Sequence, residues 1–184
     1  MQAVTERQHY KIIFTGPVGA GKTTAISALS DEQALTTDEQ ASDMTQQRKQ
    51  TTTVAMDYGV MNLGESERIH LYGTPGQERF DFMWDILTEG GLGLILLLDN
   101  TRSHPFQDLK FFLEAFKDFI ATNKVVIGIS FMDENPLPSL EDYQQKLAKM
   151  NYKLPVFEVD GRRQEDVATL VQALLYSHDP WLGA

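Results

Sequence analysis

Short, continuously apolar segments alternate along this chain with segments whose apolar residues recur every three to four positions. The runs at 92–99 and 124–131 are apolar except at or near their ends, as in central strands that are buried on both faces. The segments 106–120 and 140–150 instead place their apolar side chains on one helical face. This alternation predicts an α/β domain with a mainly parallel sheet and helices on both sides.

The region from 53 to 72 predicts a departure from parallel pairing. Two strand-like runs, 53–63 and 68–72, flank a turn at residues 64–66. Strands joined by a short turn pair antiparallel, so we expect one antiparallel edge strand. Shorter strands are expected at 11–15 and 155–159, and further helices at 24–30 and 167–175.

The first chemical motif is GPVGAGKT, residues 16–23. It matches G-x-x-x-x-G-K-[ST] between a predicted strand and a predicted helix, a context that distinguishes a phosphate-binding loop from a chance glycine-rich turn. Lys22 would contact the β- and γ-phosphates of a nucleotide, and the Thr23 hydroxyl would bind Mg²⁺. The nucleotide-binding residues expected here are Gly16, Val18, Gly19, Ala20, Gly21, Lys22, Thr23 and Thr24.

A long polar segment, 31–52, follows this motif. It holds few apolar residues, and a loop of such length inside a compact domain is usually functional or disordered. A solvated excursion would explain the composition alone. The position of the segment, directly after a phosphate-binding helix, favours a functional loop.

Four further segments carry a family resemblance. Residues 53–58, TVAMDY, resemble the T-x-G-x-D-[FY] that follows switch I in Ras and Rab proteins, and 74–80, TPGQERF, resemble their switch II. Asp133 ends a strand where N-K-x-D is expected, and 158–162 align with E-x-S-A-K, both in degraded form. The chain thus resembles the Ras-like small GTPases over nearly its whole length. It is most similar to the bacterial branch with the Mgl-type polarity and gliding-motility GTPases and related predicted ATP/GTP-binding proteins.

The resemblance implies one P-loop NTPase domain, the G domain, over residues 1–184. An N-terminal tail would occupy 1–9, and the switch I loop would occupy 31–52. Switch II would span 73–89, and a C-terminal tail would occupy 178–184. The cofactors implied are GTP or GDP and Mg²⁺.

The resemblance also assigns the hydrolytic residues. Gln77 would orient the attacking water, and the Gly76 N–H would contact the γ-phosphate. Thr53 would bind Mg²⁺ and the γ-phosphate, so the metal would rest on Thr23 and Thr53. The run 51–53 leaves a shift of one or two residues open, and a polar lead-in to a strand is the alternative.

An internal arginine finger is a further expectation. Arg48 lies three residues before Thr51, a spacing similar to that of the cis arginine in heterotrimeric G-protein α subunits. Arg79, next but one to Gln77, is a second candidate. A single charged residue in a polar loop is the alternative for Arg48. With Lys22, the expected catalytic residues are Gln77 and Arg48.

Two positions depart from the family pattern. Gly73 stands where the family has an aspartate that holds Mg²⁺ through water, so we expect weaker retention of the metal and easier release of GDP. Val18 stands where most Ras proteins have glycine. Its side chain would crowd the catalytic glutamine, which predicts slow intrinsic turnover.

The base-binding residues are expected in two loops. Asp133 would accept hydrogen bonds from guanine N1–H and N2–H₂, unless it only caps a turn. Phe131 would stack on the base or simply end a strand. Gly161 would donate its N–H to guanine O6, and Arg162 would pack behind the ring.

Composition narrows the partners and the location. A net charge of −10 is expected to repel nucleic acid and anionic membranes, and no apolar run reaches the roughly 18 residues of a membrane span. The chain has no cysteine for a disulfide or a lipid anchor, and Gln2 excludes N-myristoylation. The polar start predicts no signal peptide. We therefore expect a cytoplasmic protein without nucleic acid or a direct lipid anchor.

Three functions compete. The favoured one is a small GTP-binding protein that slowly hydrolyses GTP as a molecular switch for a protein partner. Gln77 supports it, whereas Gly73 and Val18 favour a pseudo-GTPase that binds nucleotide without significant turnover. A phosphotransferase would need an arginine-rich lid, and the seven arginines form no such cluster. The Mgl-type resemblance implies a roadblock-type activator at the switches. Residues 80–84, FDFMW, would offer it aromatic anchors, and packing of these side chains in the core is the alternative.

Overall fold

A computed structural model describes residues 8–36, 56–64, 67–76 and 82–178. In these ranges the chain forms seven strands and six helices in alternation. The strands are β1 (Gln8–Thr15), β2 (Leu35–Thr36), β3 (Asp57–Leu63), β4 (Glu67–Gly73), β5 (Gly93–Asp99), β6 (Lys124–Ser130) and β7 (Val156–Glu158). The helices are α1 (Lys22–Leu29), α2 (Phe82–Thr88), α3 (Pro105–Ala115), α4 (Lys117–Thr122), α5 (Leu140–Lys149) and α6 (Gln164–His178).

One sheet carries all seven strands, in the order β2-β3-β4-β1-β5-β6-β7. The neighbours from β4 to β7 pair parallel, and β3 pairs antiparallel with β4. The predicted α/β fold with a mainly parallel sheet is therefore confirmed. The antiparallel strand lies one place inside the edge, because the two-residue β2 pairs antiparallel with its outer side.

Among the elements whose boundaries differ from the expected ones, β1 and the helix predicted over 106–120 differ most clearly. Strand β1 begins at Gln8, within the segment expected to be an N-terminal tail. The helix predicted over 106–120 is divided at Phe116, whose φ of −101° and ψ of 15° end one helix and precede the next. Phe116 is buried, and its ring stacks on Trp84 with a centroid separation of 5.0 Å. Trp84 of α2 therefore packs on the residue at which α3 ends and α4 begins.

The sheet separates two apolar cores. Successive side chains of a strand point to opposite faces, so Phe14 packs against α1 and α6 while Ile13 packs against the other helices. Ile26 and Leu170 lie in the first core, and Phe112 lies in the second. Among the helices that the described residues form, none has the length and apolar content that crossing a bilayer requires.

A buried polar network fixes the loop that follows β6. Asn100 is fully buried, and its Nδ2 donates hydrogen bonds to the carbonyls of Asn135 at 2.7 Å and Pro138 at 3.1 Å. Asn135 Nδ2 donates in return to the Asn100 carbonyl at 3.0 Å. The Tyr143 hydroxyl on α5 donates to Asn100 Oδ1 at 2.8 Å, and burial raises the pKa of this phenol. The network therefore holds the loop at the carboxyl end of β6.

Removing the Tyr143 hydroxyl should destabilise the protein. Tyr143→Phe leaves Asn100 Oδ1 buried without its donor, which costs about 1–3 kcal/mol in the free energy of unfolding. Tyr176→Phe is the matched control, since Tyr176 is 53% exposed, and its effect should stay within about 0.5 kcal/mol. Urea denaturation measures both. Equal values for the two variants would contradict this account of the network.

Candidate functional site

The loop from Gly16 to Gly21 joins β1 to α1 and forms the floor of the site. Gly16 has a φ of 140°, and a Cβ there would collide with the carbonyl oxygen of Leu97 on β5. Only glycine fits this position, which accounts for the first fixed glycine of the motif. The close approach brings the loop directly over the carboxyl end of the sheet.

Lys22 begins α1 and lies under this loop. Its side chain is nearly enclosed, and Nζ donates hydrogen bonds to the carbonyls of Gly16 and Pro17, both at 2.8 Å. Burial lowers the pKa of Lys22 to about 8, and the nearby Asp57 carboxylate opposes that shift. The Lys22 ammonium group is therefore placed to bind an anion that enters the loop.

Gly76 lies against the same loop. A Cβ on Gly76 would stand 2.6 Å from the Val18 backbone nitrogen and 2.8 Å from Lys22 Nζ. The approach is fixed by Thr74, which is buried, donates its N–H to Phe14 O at 2.9 Å and contacts the Thr15 hydroxyl at 2.8 Å. The structure thus brings Gly76 and Lys22, both predicted phosphate-binding residues, close together.

Several predicted residues lie outside the described ranges. They are the catalytic candidates Gln77, Arg48 and Arg79, and the threonines Thr51, Thr52 and Thr53. Their roles stay predictions from the sequence. Val18 is described, and its side chain is 56% exposed on the loop.

Thr23 reaches a carboxylate that the sequence analysis did not assign to the site. Its Oγ1 donates to Asp57 Oδ2 of β3 at 2.6 Å. Thr23 is exposed and Asp57 is half-buried, so this pair faces the mouth of the loop. A hydroxyl and a carboxylate in contact are oxygen ligands of the kind Mg²⁺ prefers, and Mg²⁺ completes its shell with phosphate and water. The residues present therefore fit this ion.

A second cleft, of about 140 Å³, opens beside α1. It is lined by residues from α1 and the loop before it, from the end of β6 and the loop after it, and from the loop after β7: Ala20, Gly21, Thr24, Ser130, Phe131, Asp133, Val159, Asp160, Gly161 and Arg162. All four residues predicted to bind the base lie here. Ser130 was not predicted, yet its buried hydroxyl shares its proton between Ala20 O at 3.1 Å and Leu98 O at 3.0 Å. It thereby joins the phosphate loop to the base cleft.

The predicted base-binding residues differ in how they are held. Phe131 has a φ of 60°, a left-handed conformation that is uncommon outside glycine and points to a local constraint. Asp133 is exposed at the cleft. Arg162 donates through Nε and Nη2 to the two carboxylate oxygens of Asp160, at 2.9 and 2.8 Å, and these bonds lower the pKa of Asp160 to about 2. Arg162 is therefore braced at the rim of the cleft.

Trp84 does not serve the surface role suggested for the aromatic run 80–84. It is buried, donates from Nε1 to Pro75 O at 3.3 Å and stacks on Phe116. The side chains of Phe80 and Phe82 lie outside the described residues. Ile86 on the same helix is 67% exposed and is an apolar side chain available at the surface.

Comparison with curated proteins finds distant relatives. An archaeal relative, the uncharacterized protein MJ1339 of Methanocaldococcus jannaschii, is 26% identical over 85% of this chain and 87% of its own length. The Ras-related protein YPTC6 of Chlamydomonas reinhardtii is 22% identical over 76% of this chain and 60% of its own. The Ras-related protein RABE1e of Arabidopsis thaliana is 23% identical over 85% and 69%. These likenesses relate the chain to the P-loop GTPases.

A family profile gives the firmer assignment. The profile described as conserved hypothetical ATP binding protein matches residues 32–135, more than half of the chain. The match begins after the phosphate loop at 16–23, so that motif supports nucleotide binding independently. This is a nucleotide-binding, GTPase-like protein, and it belongs to the family of conserved hypothetical ATP-binding proteins.

Proposed function

We propose that this protein binds GTP and GDP with Mg²⁺ and slowly hydrolyses GTP as a switch for a protein partner. The observation that carries the proposal is the contact of Gly76 with the phosphate loop beside Lys22. A γ-phosphate bound by Lys22 would lie next to the Gly76 N–H, which couples the presence of that phosphate to the segment that follows. Loss of the γ-phosphate on hydrolysis would remove the hydrogen bond that it accepts from the Gly76 N–H.

Guanine is the base that the cleft supports best. Asp133 offers two acceptor oxygens, which match the N1–H and N2–H₂ donors of guanine, whereas adenine presents no such pair. Gly161 lies in the same cleft, and its backbone N–H is a donor for guanine O6. The family description names ATP, while two of the relatives are Ras-related proteins. The donor and acceptor pattern of the cleft favours the guanine nucleotide.

Slow hydrolysis follows from the residues proposed to act on water. Gln77 follows Gly76 in the chain and orients the attacking water. Mg²⁺, when bound, neutralises charge on the phosphate oxygens. Intrinsic turnover in this class is on the order of 10⁻⁴ s⁻¹, and an arginine supplied in cis or in trans adds roughly 10³–10⁵. Arg48 is the internal candidate, and a regulatory partner is the external one.

The last part of the proposal is control by a protein partner that binds at the switches. The resemblance to the Mgl-type GTPases suggests a roadblock-type activator acting at the switches. The exposed Ile86 lies on α2, within the segment proposed as switch II, and gives such a partner an apolar contact. Residues 1–184 are proposed as one G domain that carries this surface.

Single-turnover phosphate release tests the enzymatic part. With excess Mg²⁺, we expect slow release from GTP and none above background from ATP, and Gln77→Ala should abolish the GTP signal. Gln145→Ala, on the far helix α5, is the matched control and should leave the rate unchanged. Tight binding of GTP without release, even with added arginine-bearing partners, would favour the pseudo-GTPase.

Changing one atom of Asp133 should redirect base selection. Asp133→Asn replaces an acceptor with an N–H₂ donor, which suits the C2 carbonyl of xanthine and not the N2–H₂ of guanine. We expect GDP affinity to fall about 100-fold and xanthosine diphosphate to gain affinity by a similar factor. Titration calorimetry measures both. Glu134→Gln removes the neighbouring charge and should change neither affinity, and an equal loss in the two variants would contradict the assignment.

The lowered pKa of Lys22 predicts a proton linkage. Bound phosphates raise this pKa from about 8, so nucleotide binding should take up protons near pH 8.5. The affinity for the nucleotide is then highest well below pH 8. It falls as the pH rises through about 8, by at most about tenfold per pH unit. Calorimetry in two buffers with different ionisation enthalpies measures the uptake. Lys149→Gln, an exposed lysine on α5, should leave it unchanged, and identical heats in both buffers would contradict the linkage.

A further inference from the structure

Asp57 and Gly73 face each other across the β3–β4 hairpin. They are register partners in an antiparallel pair, so their side-chain positions lie on the same face of the sheet. That face is covered by α1, the helix that begins at Lys22. A side chain at either position therefore approaches the first turn of α1.

The two positions lie close together. A Cβ built on Gly73 would lie 3.0 Å from both Cβ and Oδ2 of Asp57, and 3.0 Å from Ile26 Cδ1. Contacts of this length are tighter than most, so a side chain at 73 would shift the Asp57 carboxylate or Ile26 by a few tenths of an ångström. Two carboxylates so close would also repel each other. Glycine at 73 thus leaves the Asp57 carboxylate in place beside Thr23.

The Asp57 carboxylate meets the hydroxyl that a P-loop offers to the metal. Thr23 Oγ1 donates to Asp57 Oδ2 at 2.6 Å. In P-loop NTPases, Mg²⁺ is held by this Ser or Thr together with an aspartate. An oxygen one hydrogen bond away from a Mg²⁺ ligand lies within reach of the ion or of a water in its shell.

From this geometry we propose that Asp57 on β3 is the carboxylate that holds Mg²⁺ at the phosphate loop, in place of the aspartate missing at Gly73. The proposal rests on the nucleotide binding proposed above and adds a metal-site residue to it. It also replaces the expectation that Gly73 leaves the ion without a carboxylate. Retention of Mg²⁺ is then supported by a residue on the neighbouring strand.

Mg²⁺ would take few of its ligands from the protein at this site. Among the residues that the structure describes, no group of three or more histidine, cysteine, aspartate or glutamate side chains is arranged to hold a metal. Mg²⁺ suits such a site because it keeps several waters and takes its other ligands from phosphate. The same carboxylate also favours the charged form of Lys22, so cation and metal share one negative group.

With the carboxylate at 57 instead of 73, the metal would be bound by β3 instead of β4. On β4, an aspartate at 73 would stand three residues before Gly76 and couple the ion to the proposed switch II. On β3, Asp57 instead follows the polar segment proposed as switch I. The end of β4 is held separately, by Thr74 on Phe14 and Thr15. The proposal therefore places the metal-binding carboxylate on the strand that follows the proposed switch I.

Release of fluorescently labelled GDP and ADP, measured in parallel over a Mg²⁺ titration that begins in excess chelator, tests the proposal. For Asp57→Asn we expect the Mg²⁺ concentration that half-maximally slows release to rise about 10- to 100-fold. Release in chelator should stay at the wild-type rate. Asp142→Asn is the matched control, because Asp142 also accepts from a hydroxyl, that of Ser139 at 2.8 Å, on the distant helix α5. Its Mg²⁺ midpoint should not move.

Two outcomes would overturn the proposal. One is an unchanged midpoint in Asp57→Asn, or wild-type release that ignores Mg²⁺ with both nucleotides. The other is faster release by the same factor with and without Mg²⁺, which would make Asp57 a structural partner of Thr23 or Lys22. Binding of ADP alone would instead overturn the guanine assignment, and the ADP arm would still decide the role of Asp57.

A double variant that exchanges the residues at 57 and 73 gives a second test. Asp57→Gly combined with Gly73→Asp returns the carboxylate to β4, and we expect its Mg²⁺ midpoint to return towards that of the wild type. A folded double variant that keeps the shifted midpoint would contradict the equivalence of the two positions. Asp57→Asn decides the proposal whether or not this double variant folds.

Discussion

The site depends on one contact, the hydrogen bond from Thr23 on α1 to Asp57 on β3. A side chain at 73, the register partner of Asp57, would meet this carboxylate at 3.0 Å, and glycine there leaves it undisturbed. Thr23 lies at the start of the helix that follows the phosphate loop. The proposed Mg²⁺ site would therefore link the metal to the phosphate loop through one residue on β3.

The remainder of the site is built from buried polar contacts at the carboxyl end of the sheet. Ser130 ties the phosphate loop to β6, and Asn100 ties β5 to the loop that carries Asp133. Hydrogen bonds of this kind are costly to break when buried, so they hold the phosphate and base positions at a fixed separation. The phosphate-binding and base-binding positions are therefore largely formed before a nucleotide binds.

The sequence predicted the fold and the phosphate loop because their patterns are local. Continuous apolar runs identify β5 and β6, and the flanking strand and helix identify the loop at 16–23. The break at Phe116 depends on packing against Trp84, and the two-residue β2 depends on pairing with β3. No periodicity in the chain encodes such contacts between distant segments.

Asp57 is a different case, because the sequence did hold its signal. Asp57 and Gly73 are equally far from the turn at 64–66, so a regular hairpin register brings them together. Asp57 falls on the aspartate of the T-x-G-x-D pattern, and it is retained here where the aspartate at 73 is missing. The brace between Arg162 and Asp160, by contrast, depends on side-chain conformations that the sequence does not specify.

The most direct test of the account is the position of the metal itself. A crystal structure of the GDP complex grown with Mn²⁺, a close substitute for Mg²⁺, would locate the ion by its anomalous scattering. We predict an ion bound to Thr23 Oγ1, with an Asp57 carboxylate oxygen bound directly or through one water, within about 5 Å. An ion held by phosphate and water alone, with Asp57 turned away from it, would contradict the account.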